Sequence, residues 1–310
     1  MRSCLCPLVL LGCIAPAACG KAVDSAAGAD AGPGDDGSGD DDPADGDDLD
    51  GGDRPDGGDG DDDAPRGLIV AESTTFTDET GLHQTSTARA FFGDYETEDC
   101  ALELADGDCR LLSCRPRPAA TPFPEAGLIV IQVDTIDQAT LTPGEQGAYN
   151  AFGAEAPLFA DGAEVAAFAA GADVPAFDID LQAPSSIAFT VPVPSSGSAI
   201  GVSAANDYDL TWAEPDSPDQ VHVTISALPD QDRVRRVIDC GQFGPIGHIT
   251  VSSEILSLVP PGDLDFEARV EASDTVRAGA YAVTMTASVV ARQGDGQDSN
   301  AARGTLVLSE

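Results

Sequence analysis

The chain has 310 residues, of which 54 are Asp or Glu and 15 are Lys or Arg, so its formal net charge is -39. Such a surface repels phosphate backbones and anionic lipid headgroups, and we therefore expect no nucleic-acid partner. The acidity has two sources, because residues 24–63 hold 17 Asp and one Arg, while residues 66–310 hold 37 acidic and 12 basic residues. The length is sufficient for one or two β-domains.

The first 19 residues have the pattern of a bacterial export signal. Arg2 supplies a positive start, and the apolar stretch from Leu5 to Ala18 is too short to cross a bilayer as a helix. We therefore predict that residues 1–19 are an export signal of the lipoprotein type. The mature protein is then expected in the cell envelope, as an outer-membrane lipoprotein.

Three processing sites remain open at the end of this signal. Cys19 follows two alanines and is the favoured site of lipidation. Cys13 ends the run Leu10-Leu11-Gly12-Cys13 and is the alternative lipidation site. The run Ala15-Pro16-Ala17 would also serve an ordinary signal peptidase, in which case the protein is secreted. Lipidation at either cysteine predicts that the membrane is a partner through the lipid anchor.

Residues 20–65 consist almost entirely of Gly, Asp, Pro, Ala and Ser, and Val23 and Leu49 are their larger apolar side chains. A segment of this composition buries too little surface to offset the entropy of ordering it. We therefore predict a disordered Asp/Gly-rich tether between the lipid anchor and the folded body.

The Asp-rich composition also raises the possibility of calcium loops. Asp59, Asp61 and Asp63 match the first three ligand positions of an EF-hand loop. However, the glycine position is occupied by Ala64 and the final Glu position by Val70. The register fails, so the sequence favours a solvated spacer over a calcium array.

From Arg66 onward, short β-like runs alternate with Gly, Pro, Asp and Ser. Period-two alternation places one side of a strand on a core and the other in water. Leu68–Ala71 and Leu128–Val133 are continuous apolar runs that suit buried strands. Alternating rows occur at 187–193, 208–212, 221–227, 266–270 and 281–289. This pattern predicts an all-β body of one or two domains with an immunoglobulin-like β-sandwich.

A break at Ala183-Pro184 suggests a β-rich domain over residues 66–183 and a β-sandwich domain over residues 184–310. Ser253 is expected to cap one or two helical turns before Pro260. The segment Ala163–Ala172 is ambiguous, because alanine favours a helix while the flanking glycines favour a short strand.

Four cysteines remain in the body: Cys100, Cys109, Cys114 and Cys240. An even number in an exported chain favours disulfides, and the spacing lacks the knuckle that zinc sites prefer. Three pairings are possible. We favour a local Cys100–Cys109 bond together with a long-range Cys114–Cys240 bond, because three cysteines crowd one region and the fourth lies far along the chain.

No nucleophile motif is found, since Gly201–Ala205 only approaches G-x-S-x-G. His83, His222 and His248 lie in separate strand-like runs without paired metal-ligand spacing. We therefore predict a non-enzymatic protein with no catalytic residues, no metal site and no cofactor.

Two carboxylate pairs and one tryptophan are alternative candidates for binding groups. Asp178 with Asp180, and Asp207 with Asp209, alternate onto one face of a strand and could serve acid–base chemistry or calcium. We favour simple solvation for both pairs. Trp212 could stack on a sugar, but a single Trp in a strand is more often a core anchor.

The body resembles predicted lipoproteins of high-GC Gram-negative bacteria that carry Asp/Gly-rich linkers, most of them without an assigned activity. The resemblance rests on loose motifs spread over most of residues 66–290. These include Ala90-Phe91-Phe92 followed by the three clustered cysteines, Asp173-Val174-Pro175-Ala176-Phe177, Asp209-Leu210-Thr211-Trp212, and Val221-His222-Val223-Thr224-Ile225-Ser226. It implies a lipid-anchored envelope protein and transfers no catalytic residue.

The favoured function is a non-enzymatic envelope lipoprotein that displays a β-sandwich on a flexible tether, in a structural or binding role toward an unknown envelope or extracellular partner. The alternatives are a carbohydrate- or calcium-binding module and, less favoured, a carboxylate-based hydrolase. A cleft lined by convergent acids would indicate the hydrolase. A shallow face with exposed aromatic side chains would indicate binding.

Overall fold

The computed structural model describes residues 64–78, 81–95, 98–118, 122–149, 152–195, 198–213, 219–293 and 300–310. The predicted export signal with Cys13 and Cys19, and the predicted tether up to residue 63, lie outside the described residues. Among the described residues, no helix is long and apolar enough to cross a membrane.

The described residues form twenty strands, one short α-helix and two 3-10 turns, which confirms the prediction of an all-β body. The strands, in chain order, are β1 (Arg66–Asp78), β2 (Gly81–Phe92), β3 (Glu98–Asp106), β4 (Cys109–Pro116), β5 (Ile129–Val133), β6 (Ile136–Leu141), β7 (Phe152–Ala154), β8 (Glu164–Ala169), β9 (Phe177–Gln182), β10 (Ala188–Phe189), β11 (Ile200–Ser203), β12 (Tyr208–Thr211), β13 (Gln220–Ala227), β14 (Arg235–Phe243), β15 (His248–Val251), β16 (Gly262–Ala278), β17 (Tyr281–Val290), β18 (Arg292–Gln293), β19 (Asn300–Ala301) and β20 (Arg303–Ser309). The 3-10 turns are Glu145–Gly147 and Gly244–Ile246, and the helix α1 is Ser253–Leu256.

Eleven strands form one long sheet, and nine of them lie in the order β3-β4-β14-β13-β16-β17-β1-β2-β7. β20 adds to this sheet beside β16, and β11 pairs with β20. β16 is 17 residues long. Along one edge, its first part pairs with β20 and its second part with β17, and along the other edge it pairs with β13. β1 runs parallel to β17, and β11 runs parallel to β20.

A second sheet has the order β6-β5-β8-β9, and all its neighbouring strands are antiparallel. β9 lies against β16 and β17 of the long sheet. The rings of Phe92 on β2 and Phe177 on β9 are 6.2 Å apart, so side chains of the two sheets meet directly. The body is therefore sandwich-like, with its core between the two sheets.

The remaining strands bury a further group of large side chains. Phe189 and Leu210 are fully buried, and Trp212 packs its ring edge-on against Phe189 with 5.8 Å between the ring centroids. The helix α1 adds Ile255 and Leu256 to the same core. Its N-cap is Ser252, one residue before the predicted cap, because the Ser252 side chain accepts a hydrogen bond from the Ile255 amide.

The predicted division into residues 66–183 and 184–310 falls inside a single compact unit. β1 from the first part pairs with β17 from the second, and β4 pairs with β14. Ala183 and Ile187, on either side of the predicted break, belong to the same core. The two parts of the chain therefore share one sheet and one core.

All four cysteines of the body form disulfides, but the favoured pairing is wrong. The structure joins Cys100 to Cys114 and Cys109 to Cys240, with Cα–Cα distances of 4.0 and 4.1 Å. In each case strand register is the reason, since Cys100 lies opposite Cys114 in the β3–β4 pair and Cys109 lies opposite Cys240 in the β4–β14 pair. Closeness along the chain did not reveal which residues face each other.

Two buried tyrosines are expected to respond in opposite ways to the same substitution. The Tyr149 hydroxyl donates to the Gly127 carbonyl and accepts from the Ala126 amide, both at 2.8 Å. Tyr149→Phe leaves these backbone groups unpaired and should lower the free energy of unfolding by about 1–3 kcal/mol. The Tyr208 hydroxyl has no hydrogen-bond partner within the described part of the chain. Tyr208→Phe should therefore leave stability unchanged or raise it by up to about 1 kcal/mol.

Urea unfolding of both variants measures this difference, and a loss of stability in Tyr208→Phe would contradict it. An alkaline titration adds a second check, because burial raises the pKa of Tyr208 above its ordinary value of 10.0. The unfolded chain then loses this proton before the folded chain does, so stability falls as the pH rises above about 10. Tyr208→Phe lacks this contribution and should lose stability less steeply over the same range.

Candidate ligand-binding face

The three histidines lie on different strands: His83 on β2, His222 on β13 and His248 on β15. His222 Nε2 is 3.6 Å from the Glu271 carboxylate. Among the described residues, the only grouping of three possible metal ligands is Glu98, Cys100 and Cys114. Both cysteines of that group are used by the disulfide.

The carboxylates of Asp207 and Asp209 accept hydrogen bonds from other parts of the protein. Asp207 Oδ1 accepts a hydrogen bond of 2.7 Å from the Ser253 amide at the start of α1, and this bond lowers the pKa of its carboxyl. Asp209 Oδ1 accepts a hydrogen bond of 2.7 Å from Thr250 Oγ1 across the β12–β15 pair. These contacts give the two carboxylates a structural role.

Trp212 is a core residue, as the favoured interpretation held. Its side chain is 4% exposed, and its Nε1 donates to the Gly244 carbonyl at 2.8 Å. The indole face is covered by protein, which leaves no surface for a sugar to stack on.

Asp178 and Asp180 project from the outside of the four-stranded sheet. Along β9, Phe177 and Ile179 are buried, and the two aspartates between and after them are exposed. In the β8–β9 pairing, Asp178 lies opposite Phe168 and Asp180 lies opposite Ala166. The sequence prediction that the two carboxylates share one face of a strand therefore agrees with the observed register.

Apolar side chains accompany these carboxylates on the same surface. Phe168 is 42% exposed and Leu128 is 44% exposed. Val130 lies opposite Phe168 in the β5–β8 pairing and is half-buried. We call the surface formed by Leu128, Val130, Phe168, Asp178 and Asp180 the outer face. It places an exposed aromatic ring beside two neighbouring carboxylates on an open sheet.

Sequence reasoning missed the apolar half of this surface. The run Leu128–Val133 was predicted to be buried throughout, but burial alternates along it. Ile129, Ile131 and Val133 are buried, whereas Leu128 is exposed and Val130 is half-buried. Phe168 lies in the segment that was ambiguous between helix and strand. The structure shows this segment as the strand β8, in which Val165 and Ala167 are fully buried. Because side chains alternate along a strand, Phe168 lies on the opposite side.

The outer face belongs to a part of the chain that has no basic counter-charges of its own. Residues 118–232 contain 17 acidic residues and no Lys or Arg. The whole four-stranded sheet lies within this range. Counting basic residues by segment would have revealed this asymmetry before the structure was known.

The long sheet has a different electrostatic character. Arg303 bridges Glu267 at 2.6 Å and Glu72 at 3.5 Å, and Arg269 reaches Glu271 at 3.1 Å. A shallow groove of about 500 Å³ runs past these side chains. The arginines that line this groove are paired with carboxylates of the same chain, so their charge is already satisfied internally.

No protein-family model and no curated protein matches the chain. Among solved structures, it is similar to a tetra-tandem repeat in the extending region of a large adhesion protein, at 15% identity and a TM-score of 0.18, over 72% of this chain and 73% of that one. It is also similar to SGBP-B of the Bacteroides ovatus mixed-linkage glucan utilization locus, whose structure contains a mixed-linkage heptasaccharide. That match has 11% identity and a TM-score of 0.18, over 80% of this chain and 60% of that one. Superpositions at this level support no argument about function.

Proposed function

We propose that the protein is a cell-envelope lipoprotein that displays its β-sandwich on a flexible tether, and that the outer face is the surface through which it binds. The observation behind this proposal is the exposure of Phe168 and Leu128 beside Asp178 and Asp180. Exposed aromatic and aliphatic side chains at the centre of a polar surface are characteristic of binding sites.

The arrangement of the carboxylates favours binding over hydrolysis. Carboxylate-based hydrolysis needs two acids on opposite sides of the bond to be broken. Asp178 and Asp180 instead project side by side from β9 on an open sheet face. Asp207 and Asp209 are engaged by the Ser253 amide and by Thr250. A non-enzymatic binding role therefore accounts better for both pairs.

The proposal can be tested by photo-crosslinking of the full-length protein in intact cells. A benzophenone amino acid at position 168 should form an adduct with a partner upon irradiation. Phe243 provides a matched control position, because it is also a phenylalanine at the surface, at 55% exposure, but lies at the end of β14 in the long sheet. Adducts at neither position, or equal adducts at both, would contradict a binding role of the outer face.

Lipidation is tested in the same cells with Cys19→Ala. We expect this variant to lose acyl labelling, to leave the membrane fraction and to lose the adduct at position 168. Stable anchoring requires more than one acyl chain, and a protein without its attachment site carries none. The loss of membrane association should therefore be complete. If Cys19→Ala is still acylated, Cys13 becomes the lipidation site. If neither cysteine is acylated, the protein is secreted and the anchor is refuted.

A further inference from the structure

We infer that the outer face receives a basic, extended polypeptide segment with Lys or Arg at alternate positions. This inference rests on the proposed function, because it names the chemical class of the partner for the same surface. It is carried by the geometry, the charge and the apolar content of the outer face, each of which restricts the partner independently.

The geometry places two anionic groups at a spacing that an extended chain can match. Asp178 and Asp180 are two residues apart on β9, so their Cα atoms are separated by about 6.6–6.8 Å along the strand. Cations at alternate positions of an extended partner have the same spacing. Such a partner can therefore place one Lys or Arg against each carboxylate.

The charge of this surface selects a cationic partner. The four-stranded sheet and its connections carry carboxylates and no Lys or Arg, so no basic side chain of its own opposes Asp178 and Asp180. The two neighbouring carboxylates also repel each other. Complementary charges on a partner relieve this repulsion and accelerate the encounter, whereas nucleic acid and anionic membranes are repelled.

The apolar side chains require more of the partner than charge. Phe168 lies directly opposite Asp178, and the exposed Leu128 directly precedes β5. A Lys or Arg that reaches Asp178 passes its aliphatic stem over the Phe168 ring and can make a cation–π contact with it. A neutral glycan would use the ring but would gain nothing from the one-signed charge.

The test uses the mature full-length protein and a fluorescent peptide of alternating Lys and Ser, with EDTA present to exclude bridging by calcium. Binding is measured by fluorescence anisotropy. We expect Asp178→Asn/Asp180→Asn to weaken binding by about tenfold or more, as for loss of close charge pairs across an interface. Binding by the wild type should also weaken strongly between about 0.01 M and about 0.15 M salt, as the screening length falls from about 30 Å to about 8 Å.

Matched controls separate the outer face from the general acidity of the chain. Asp263 and Asp265 are exposed, are also two residues apart on one strand, and lie on β16 of the long sheet. Asp263→Asn/Asp265→Asn changes the net charge equally and should leave binding within about twofold of the wild type. Phe168→Ser should weaken binding, and Phe243→Ser, at a more exposed phenylalanine of the long sheet, should not.

Three outcomes would overturn the inference. Equal losses in the two Asp pairs would mean that the peptide responds only to net charge. Unchanged binding by Phe168→Ser would mean that the apolar side chains are not used. Binding of a neutral glucan oligosaccharide at this face, with no binding of the peptide, would assign the surface to carbohydrate. An adduct at position 168 in cells combined with any of these results would leave the proposed function standing and remove only this inference.

Discussion

Replacement of both Cys109 and Cys240 by Ser is expected to lower the free energy of unfolding by about 5 kcal/mol, against about 3 kcal/mol for replacement of both Cys100 and Cys114. The difference follows from the size of the loop that each bond closes in the unfolded chain, because the paired residues are 131 and 14 positions apart. Cys109 and Cys240 are also buried in the core, so their replacement places two hydroxyl groups there.

Urea unfolding of the two double variants measures both losses without creating a free thiol. The Cys100/Cys114 variant is the matched control, because it removes one disulfide from the same group of strands. A free energy of unfolding that falls by the same amount in both variants would contradict the loop-size argument. Peptide mapping of the unreduced protein checks the pairing itself, and a peptide that links Cys114 to Cys240 would refute it.

Trp212→Ala is expected to lower the free energy of unfolding by about 3–5 kcal/mol, because it leaves a cavity where the largest side chain of this region was buried. Phe189 loses its edge-on ring partner, and the Gly244 carbonyl loses the indole N–H that bonds it. Trp212→Phe keeps a ring against Phe189 and removes only the indole N–H bond, because the Gly244 carbonyl still accepts from the Gly247 amide, so it should cost only about 0.5–1.5 kcal/mol. This gradation separates packing from the hydrogen bond.

Trp212 is the only tryptophan, so its fluorescence reports on this site alone. In the wild type we expect emission at short wavelength that resists a water-soluble quencher and shifts to longer wavelength upon unfolding. Phe243→Ala is the control, since this exposed side chain should change stability by no more than about 0.5 kcal/mol. Free access of the quencher to Trp212 in the folded protein would contradict its role as a core anchor.

The two predictions address different parts of the fold. The Cys109–Cys240 bond joins neighbouring strands within the long sheet, whereas Trp212 lies in the group of strands that includes the β12–β15 pair. The two sites are nevertheless linked, because Cys109 Sγ lies 3.6 Å from the Thr250 carbonyl on β15 and Trp212 Nε1 bonds Gly244 directly after β14. Their losses should therefore depart from additivity in a combined variant. Measuring this departure requires two-state unfolding, which the single core shared by both halves of the chain favours.

The alternation of apolar and polar residues was sufficient to identify most strands of the body. Val221, Val223 and Ile225 are buried as their spacing predicted, and so are Val283 and Met285. This success has a local cause, because successive side chains of a strand point to opposite faces whatever the strand pairs with. The same alternating runs, divided by Gly, Pro, Asp and Ser, assigned the body to the all-β class.

Which strands are neighbours, and which face of a sheet is covered, were decided by tertiary structure. The disulfide pairing depends on the register of β4 against β3 and β14, and the single core depends on the pairing of β1 with β17. Alternation placed Asp178 and Asp180 on one side of β9, but it contains no information about the exposed Phe168 opposite them. Such contacts join residues far apart along the chain, so they are set by the register and packing of whole sheets and not by the local pattern that makes each strand.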